Sequence, residues 1–589
     1  MLTELYTYAQ KRQLTARPGF KEKSIKGYLS LTAQGEFLDI VSPLEPTTLA
    51  PDIGTVANGT SKCNLLVDKA VYILQTDNKP NTLVKHTFFI DGLKAGAGAE
   101  PLFAVCAKAL ETPETLETMR GALAEKKLKP NDPIGLQVDG LPIEKSERYY
   151  DWWESYRHEI GEEKKEATQR CLVTGQITAP VRTVPKVSGL IAVGGHTAGD
   201  ALLCFDKAAF TSYGFSQTEN AVVSESAITS VNAALQELIA QAPIQAGVKM
   251  VHWYKEPVKQ EEDVFANFFG AYAADNKEDA DGTDFARKMD TAMAAANALI
   301  QSVKKGENPQ QLENKYYLMP LSGANGRMMV RGWDEGSYED LYQNIKLWYD
   351  DLRIVLDDGS GTCKSERLSR LEYRLLKPTQ SASKNLGKQM AEELSGIQVR
   401  ILYSILHGKP LPDAVGKQAL RYIRSHMLVT EDNKGGERNP DLCACQLLKA
   451  WIIRKQRSSE KGEIFMKEAV NHDYPSDAYQ CGRLMAVYAE IQKSAYKNRL
   501  NAGVIERYYT GASTTPALVL GRLSSLSQYH LGKIESEGTR VFYQKMLDEI
   551  YTKLNPPLPT ALSPLQQGEF AVGYHQQHAE IYKSKKGTD

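Results

Sequence analysis

His575 and His578, in the run YHQQH, stand three residues apart, a spacing that puts two imidazoles on one helix face where they can bind a metal if acidic partners arrive from elsewhere. The neighbouring sequence supplies no such partners. His196, His252, His407, His426 and His530 are equally isolated, and a lone histidine is more often a satisfied structural residue. Cys443 and Cys445 form a CxC with no second pair nearby, whereas a zinc site needs four converging ligands, so they read as small buried side chains of a helix. There is no phosphate-binding G-x-x-x-x-G-K-[ST], no H-E-x-x-H and no G-x-S-x-G elbow. Gly92, Gly96 and Gly98 lack the strand-to-helix setting of a dinucleotide turn and read as a loop. The expectation is a protein that is not an enzyme, with no catalytic residues, no metal and no cofactor. The alternative is an undetected metal-dependent nuclease or other hydrolase, because catalytic groups assemble in space rather than along the chain.

The 589 residues exceed one ordinary core, so two or three domains are expected. With 42% hydrophobic and 24% charged residues the composition is that of a globular protein, not a disordered one. No run of 18 apolar residues occurs, the start MLTELYTYAQKRQ lacks a signal core, and the eight cysteines are sparse; these imply a cytoplasmic protein without disulfides or membrane span. A formal net charge of −1 argues against a protein that coats nucleic acid unaided. Local charge is segregated, however. Acidic residues gather at Glu261–Asp263 and between Asp275 and Asp284, and basic ones at Lys126, Lys127 and Lys129, at Arg454, Lys455 and Arg457, and at Lys493, Lys497 and Arg499. Such clusters either form positive faces on a neutral whole or lie on solvated helices.

The elements that must position these groups change character along the chain, and the fold class expected is α+β. Residues 1–335 read as a mixed α/β body. Leu2, Leu5, Tyr6 and Ala9 give one helical stripe, KGYLSLTAQGEFLDIV a hairpin around Ala33-Gln34-Gly35, and SAITSVNAALQELIAQ a helix through Val231, Leu235 and Leu238. Val248–Tyr254, Tyr316–Met319 and Met328–Val330 read as strands, the last two separated by the breaker-rich PLSGANGR. From 336 to 465 a helical connecting region follows, and 466–589 form a C-terminal all-α bundle. There Leu484, Val487, Ile491 and Ala495 make one inward stripe, Thr515-Pro516 starts a helix with a hydroxyl cap, and Phe542, Met546, Ile550 and Leu554 make another stripe.

The ordered series MLTELYTYAQ, Asn64-Leu-Leu-Val-Asp68, Cys171-Leu-Val-Thr-Gly175, FDKAAFTSYGFSQTENAVV, PLSGANGRMMVRGW, GRLMAVYAEIQKSAYKNRLNAG and LSPLQQGEFAVGYHQQ closely resembles the large subunit of the type I-C CRISPR Cascade (Cas-eight family, Dvulg subtype), with a C-terminal region like a small subunit (Cas-eleven-like). Ser212-Tyr213-Gly214, Gln217 and Asn220 resemble its SYG-x-x-Q-x-x-N signature, and Arg327, Arg331 and Trp333 its SPN-x-x-R-x-x-VR-x-W stretch. Gly323 stands where the family usually has Pro, and Lys69 where it often has Asn.

The resemblance implies an assembly of crRNA, backbone and handle-binding subunits and a small subunit on target double-stranded DNA, with cutting left to a recruited helicase-nuclease. Guide pairing reads sequence while this subunit reads a short adjacent duplex motif and supports R-loop formation. Amides can donate to and accept from base edges, so Gln217 and Asn220, then Asn64, Lys62 and Ser212, are the expected motif readers; the competing reading is that they tie their own loops together. Lys493, Lys497, Arg499 and Arg507 are the expected phosphate contacts. Met466 is an expected internal translation start, because Lys461-Gly462-Glu463 can be encoded as AAA GGA GAA just upstream and the helices beyond can close their own core.

Overall fold

The computed structural model describes residues 1–14, 18–54, 61–160, 168–181, 183–245, 247–270, 283–377, 386–427, 439–459, 466–496 and 503–586. The chain forms two compact units, Met1–Ala240 with Gly323–Met329, and Gln241–Ser322 with Val330–Asp589.

In the first unit, α1 (Leu2–Lys11) buries Leu5 and Ala9 of its stripe. The strands β1 (Phe20–Ser24), β2 (Gly27–Leu31), β3 (Phe37–Val41) and β4 (Thr47–Pro51) follow. β2 and β3 make the expected antiparallel hairpin, whose turn needs Gly35 at φ +91. After β5 (Asp68–Lys69) and α2 (Ala70–Ile73), three helices, α3 (Pro80–Gly96), α4 (Leu102–Glu111) and α5 (Pro113–Glu125), bring the chain back to β6 (Pro133–Val138), parallel to β2. The sheet order is β3-β2-β6-β5, with β7 (Leu141–Pro142) also on β6, and all of β2 is buried, as a strand in a covered parallel pair should be. Gly92 and Gly96 lie inside α3 rather than in a loop. A Cβ on Gly96 would stand 2.6 Å from Phe103 and one on Gly92 3.0 Å from Leu65, so these glycines serve close packing instead of a turn. The remaining elements are α6 (Tyr150–Glu159), the short hairpin β8 (Gln169–Arg170) with β9 (Ile177–Thr178), and α7 (Glu225–Gln241), which buries Val231, Leu235 and Leu238.

The second unit begins with β10 (Ile244–Gln245), β11 (Val248–Tyr254), α8 (Val264–Phe268), α9 (Thr283–Lys304) and most of β12 (Lys315–Ala324), and resumes with β14 (Asp334–Ser337); the end of β12 and most of β13 (Arg327–Val330) belong to the first unit's segment Gly323–Met329. The order is β10-β11-β12-β13, with β14 also pairing β12. Most of PLSGANGR is therefore strand, and only Asn325-Gly326 turns the chain. Pro320 is tolerated because β14 runs beside Lys315–Leu318 and β13 beyond, so the missing N–H falls where one neighbour gives way to the other.

Past Ser337 every helix or strand among the described residues is helical: α10 (Tyr338–Leu352), α11 (Leu368–Glu372), α12 (Leu386–Leu406), α13 (Asp413–Met427), α14 (Leu442–Arg457), α15 (Asp477–Tyr496), α16 (Val504–Ala512), α17 (Pro516–Lys533), α18 (Glu537–Lys553) and α19 (Pro564–Lys586). Ser337 and Asp441 cap α10 and α14 by accepting the amides of Asp340 and Ala444. Thr515 makes no such cap; its hydroxyl turns back to the carbonyl of Gly511 at 3.1 Å. On α18 the fully buried stripe is Tyr543, Leu547 and Ile550, with Phe542 and Met546 flanking it half-buried. A single buried core runs from Val248 to Ile581 and takes in Trp348, Trp451, Met485 and Phe570. No described helix is long and apolar enough to cross a membrane.

Candidate nucleic-acid interface

Residues 61–69 of the first unit hold two of the expected readers, and both are already engaged. The Asn64 amide uses both ends: Oδ1 accepts the N–H of Ile53 at 3.1 Å, and Nδ2 donates to Asp68 Oδ2 at 3.0 Å. Lys62 Nζ donates to the carbonyl of Ile160 at 2.7 Å. Close by, Lys23 is partly buried, and its loss of solvation lowers its pKa to about 8 against the pull of Asp52 3.8 Å away.

The segment after Phe205 presents the other readers on consecutive tight turns. Ser212 Oγ donates to the carbonyl of Ala209 at 2.9 Å, and Gly214, at φ +77, closes its turn on Thr211. Glu219 reaches back to the amide and hydroxyl of Ser216, which fixes a 3-10 turn over Gln217–Asn220. Asn220 Nδ2 donates to the carbonyl of Gln217 at 3.0 Å, and that residue is held at φ +49. Of the five expected readers, Gln217 is the one whose side-chain amide enters no hydrogen bond among the described residues, and it is half-buried. Beside it Tyr213 is 88% exposed, with Phe210 and Phe215 partly so.

Arg327 pairs the hairpin turn to this segment, Nη2 lying 3.2 Å from Asp206 Oδ1, and its backbone bridges to Ala201. A Cβ on Gly323 would stand 2.1 Å from Gly195 Cα, so no side chain fits where the resembling family has Pro. In the second unit Arg331 Nε donates to Ser322 Oγ at 2.8 Å, and Trp333 packs its ring 5.6 Å from Trp253 and 5.7 Å from Tyr317.

The basic clusters separate sharply. Arg454 is in the core on Asp351, Arg457 takes the same carboxylate from a partly exposed position, and Lys455 pairs with the exposed Asp413, so each charge of this triplet already meets a carboxylate. Lys126 pairs with Asp39. Lys493 hydrogen-bonds the Tyr582 hydroxyl, lies over its ring and stands 3.6 Å from Glu490. Lys497 and Arg499 lie outside the described residues. Arg507 is exposed on α16 with no ion pair among the described residues. Near it on the bundle, Arg522 sits 5.9 Å from the Tyr508 ring centroid, and Lys533 is 4.6 Å from Tyr496 and 4.5 Å from the exposed Tyr529. Hydrogen bonding by the Tyr529 and Tyr496 hydroxyls holds Lys533 above the ordinary lysine value. Sequence reasoning missed these groups; Arg522, Ser525, Tyr529 and Lys533 recur at helical spacing on the side of α17 away from its apolar stripe.

Each histidine of YHQQH meets one carboxylate, His575 Nδ1 lying 3.1 Å from Asp357 Oδ1 and His578 Nε2 3.8 Å from Glu490 Oε1. Burial pushes the Cys443 thiol up to about 11. His575 Nε2 bonds the carbonyl of Val355 at 2.8 Å, and His578 stacks on Tyr582. Among the described residues no three His, Cys, Asp or Glu side chains are placed to hold a metal ion.

No curated protein matches the chain significantly. The family model described as CRISPR-associated protein (Cas_Csd1) matches residues 2–582, and with nearly the whole chain covered, this protein belongs to that family of CRISPR-associated proteins.

Proposed function

We propose that the chain is the non-catalytic large subunit of a type I-C RNA-guided surveillance complex, which reads a short adjacent motif in duplex DNA, supports R-loop formation and recruits a helicase-nuclease. Family membership over residues 2–582 supports the CRISPR setting. The observation that carries the DNA-reading part is Gln217: its amide is unengaged among the described residues while the turn beneath it is fixed by Glu219, Ser216 and Asn220. A rigid turn with one open donor–acceptor group suits base-edge readout, since little ordering remains to be done on binding. Asn64, Lys62 and Ser212 then act as the supports of their loops.

In this reading crRNA pairing opens the target, backbone and handle-binding subunits carry the guide, and the bundle from Met466 also exists as a free small subunit. Arg507 lies along an opened strand. The test is duplex binding by the assembled complex carrying Gln217→Ala with Asn220→Ala. Affinity for motif-bearing duplex should fall by tenfold or more while that for a pre-opened target changes little; equal loss on both substrates refutes the assignment.

A further inference from the structure

Next to the loop that carries Asn64, a lysine packs its stem into the fold with no carboxylate of the described residues against its ammonium group. Lys85, on α3, is 6% exposed, and its Nζ lies 4.2 Å from the centroid of the Tyr72 ring; it forms no ion pair among the described residues. A cation held on a ring face with no carboxylate beside it remains open to an anionic ligand.

A second cation sits at the same ring. Lys69 is exposed, with Nζ 5.9 Å from the Tyr72 centroid, so the two charges stand no further apart than those two distances together. The carboxylate next in sequence is already spent: Asp68 Oδ2 accepts the backbone and side-chain N–H groups of Asn64, and Oδ1 accepts the N–H of Lys69. Lys23 and Lys85 both pull on the Cys63 thiol, which places a third amine in the same neighbourhood. Its own charge is met by Asp52 and the carbonyl of Pro51.

We propose that Lys69 and Lys85, set around Tyr72, seat the phosphodiester backbone of nucleic acid. Lysines act as point charges toward phosphate and need no planar fork, which fits a seat that fixes register without reading sequence. Identifying the seated backbone as that of the motif duplex rests on the proposed function; a guide RNA backbone offers the same chemistry.

The test uses the assembled complex with Lys69→Ala, Lys85→Met and Lys85→Arg. Methionine keeps the packed stem and removes the charge, arginine keeps the charge, and Lys69→Ala, at an exposed position, reports on the seat even if the Lys85 variants do not fold. Each charge removed should flatten the log–log salt slope of duplex binding by about 0.9, equally on motif-bearing and motif-free duplex, with Lys85→Arg close to wild type. Loss of guide RNA retention at unchanged duplex slope assigns the seat to the guide backbone and also supports it. Folded variants with unchanged duplex slope and unchanged guide retention overturn it. The two proposals fail separately. Absence of motif discrimination in the unmodified complex removes the reading function and leaves the salt-slope result to stand alone.

Discussion

Asp351 and Arg454 face each other at 2.8 Å with both side chains out of solvent, and Arg457 takes the second carboxylate oxygen at 2.6 Å. Arg454 also donates to the carbonyls of Ser404 and Lys409 and lies over Trp348, so one residue ties α10, α12 and α14 together. Asp351→Ala leaves two guanidinium groups with no counter-charge at this point. It should destabilise the protein by about 3–5 kcal/mol, read from denaturant unfolding. The same variant should leave the salt slope of nucleic-acid binding unchanged wherever it folds; a changed slope returns Arg454 and Arg457 to the interface.

The bundle closes through an approach of α15 to α19 that only glycine allows. A Cβ on Gly482 would stand 2.0 Å from the carbonyl oxygen of Phe570, and one on Gly573 2.4 Å from that of Tyr479. Gly482→Ala and Gly573→Ala should each cost about 1–3 kcal/mol or more. Gly521, exposed on α17 with nothing near its missing Cβ, is the control. There alanine should stabilise by up to about 1 kcal/mol through helix propensity. Similar shifts at all three positions contradict the crossing.

Glu372 is buried, and burial raises its pKa to about 7 although the Gln398 amide donates to it at 2.7 Å. Because the folded state holds this proton more tightly than the unfolded chain, the group favours folding most below its unfolded pKa. That contribution is lost as pH rises from about 4.5 to 7, by about 3 kcal/mol in all. Glu372→Gln keeps an acceptor for Gln398 and removes the titration. Chemical denaturation across that window should show a flatter pH profile and a variant more stable than wild type above pH 7; parallel profiles count against the assignment.

Arg507 and Lys493 look alike in the sequence, and their surroundings predict different behaviour. Arg507→Ala should flatten the salt slope of single-strand binding by about 0.7 and leave the melting temperature almost unchanged. Lys493→Ala removes the partner of Tyr582 and Glu490, so it should lower the melting temperature and leave the slope alone. The reverse pattern, measured on the same two variants, rejects this division.

The contrast marks how far the sequence could be read. Periodicity located the long helices and the β2–β3 hairpin because each is decided by its own residues, and Val248–Tyr254 emerged with both ends correct. Gly92, Gly96 and Gly323 misled for the opposite reason: their role is to admit Phe103, Leu65 and Gly195, which no local pattern announces. Charge was least legible. Lys493 meets Tyr582 89 positions away and Arg454 meets Asp351 103 positions away, so a basic run looks the same in sequence whether it faces solvent or a buried carboxylate. At Gln217 the residue type was visible, and the left-handed turn that frees its amide was not.

The internal start at Met466 gains a structural argument. Met466 is buried in the bundle, and the Gln576 side chain of α19 donates to the carbonyls of Lys467 and Glu468 at 2.8 and 3.2 Å, while the amide of Asn471 donates to the Tyr479 hydroxyl. A chain beginning there keeps the segment that seals α15 against α19. One beginning at Met485 loses Tyr479, Gly482 and Arg483, and with Arg483 its pairing to Glu549. The free fragment also loses a neighbour, since Gly568 packs against Trp451 and Leu448 of α14, and His575 bonds Val355. Expression of the gene alone should therefore yield, besides the full-length protein, a species starting at Met466. That species should be helical and cooperatively folded with a lower melting temperature than the full chain. Synonymous recoding of codons 461 to 463 should abolish it and spare the long product, read by intact mass. A short species that survives the recoding, or none at all, removes the internal start; one that appears without cooperative unfolding shows that α14 is needed to complete the bundle.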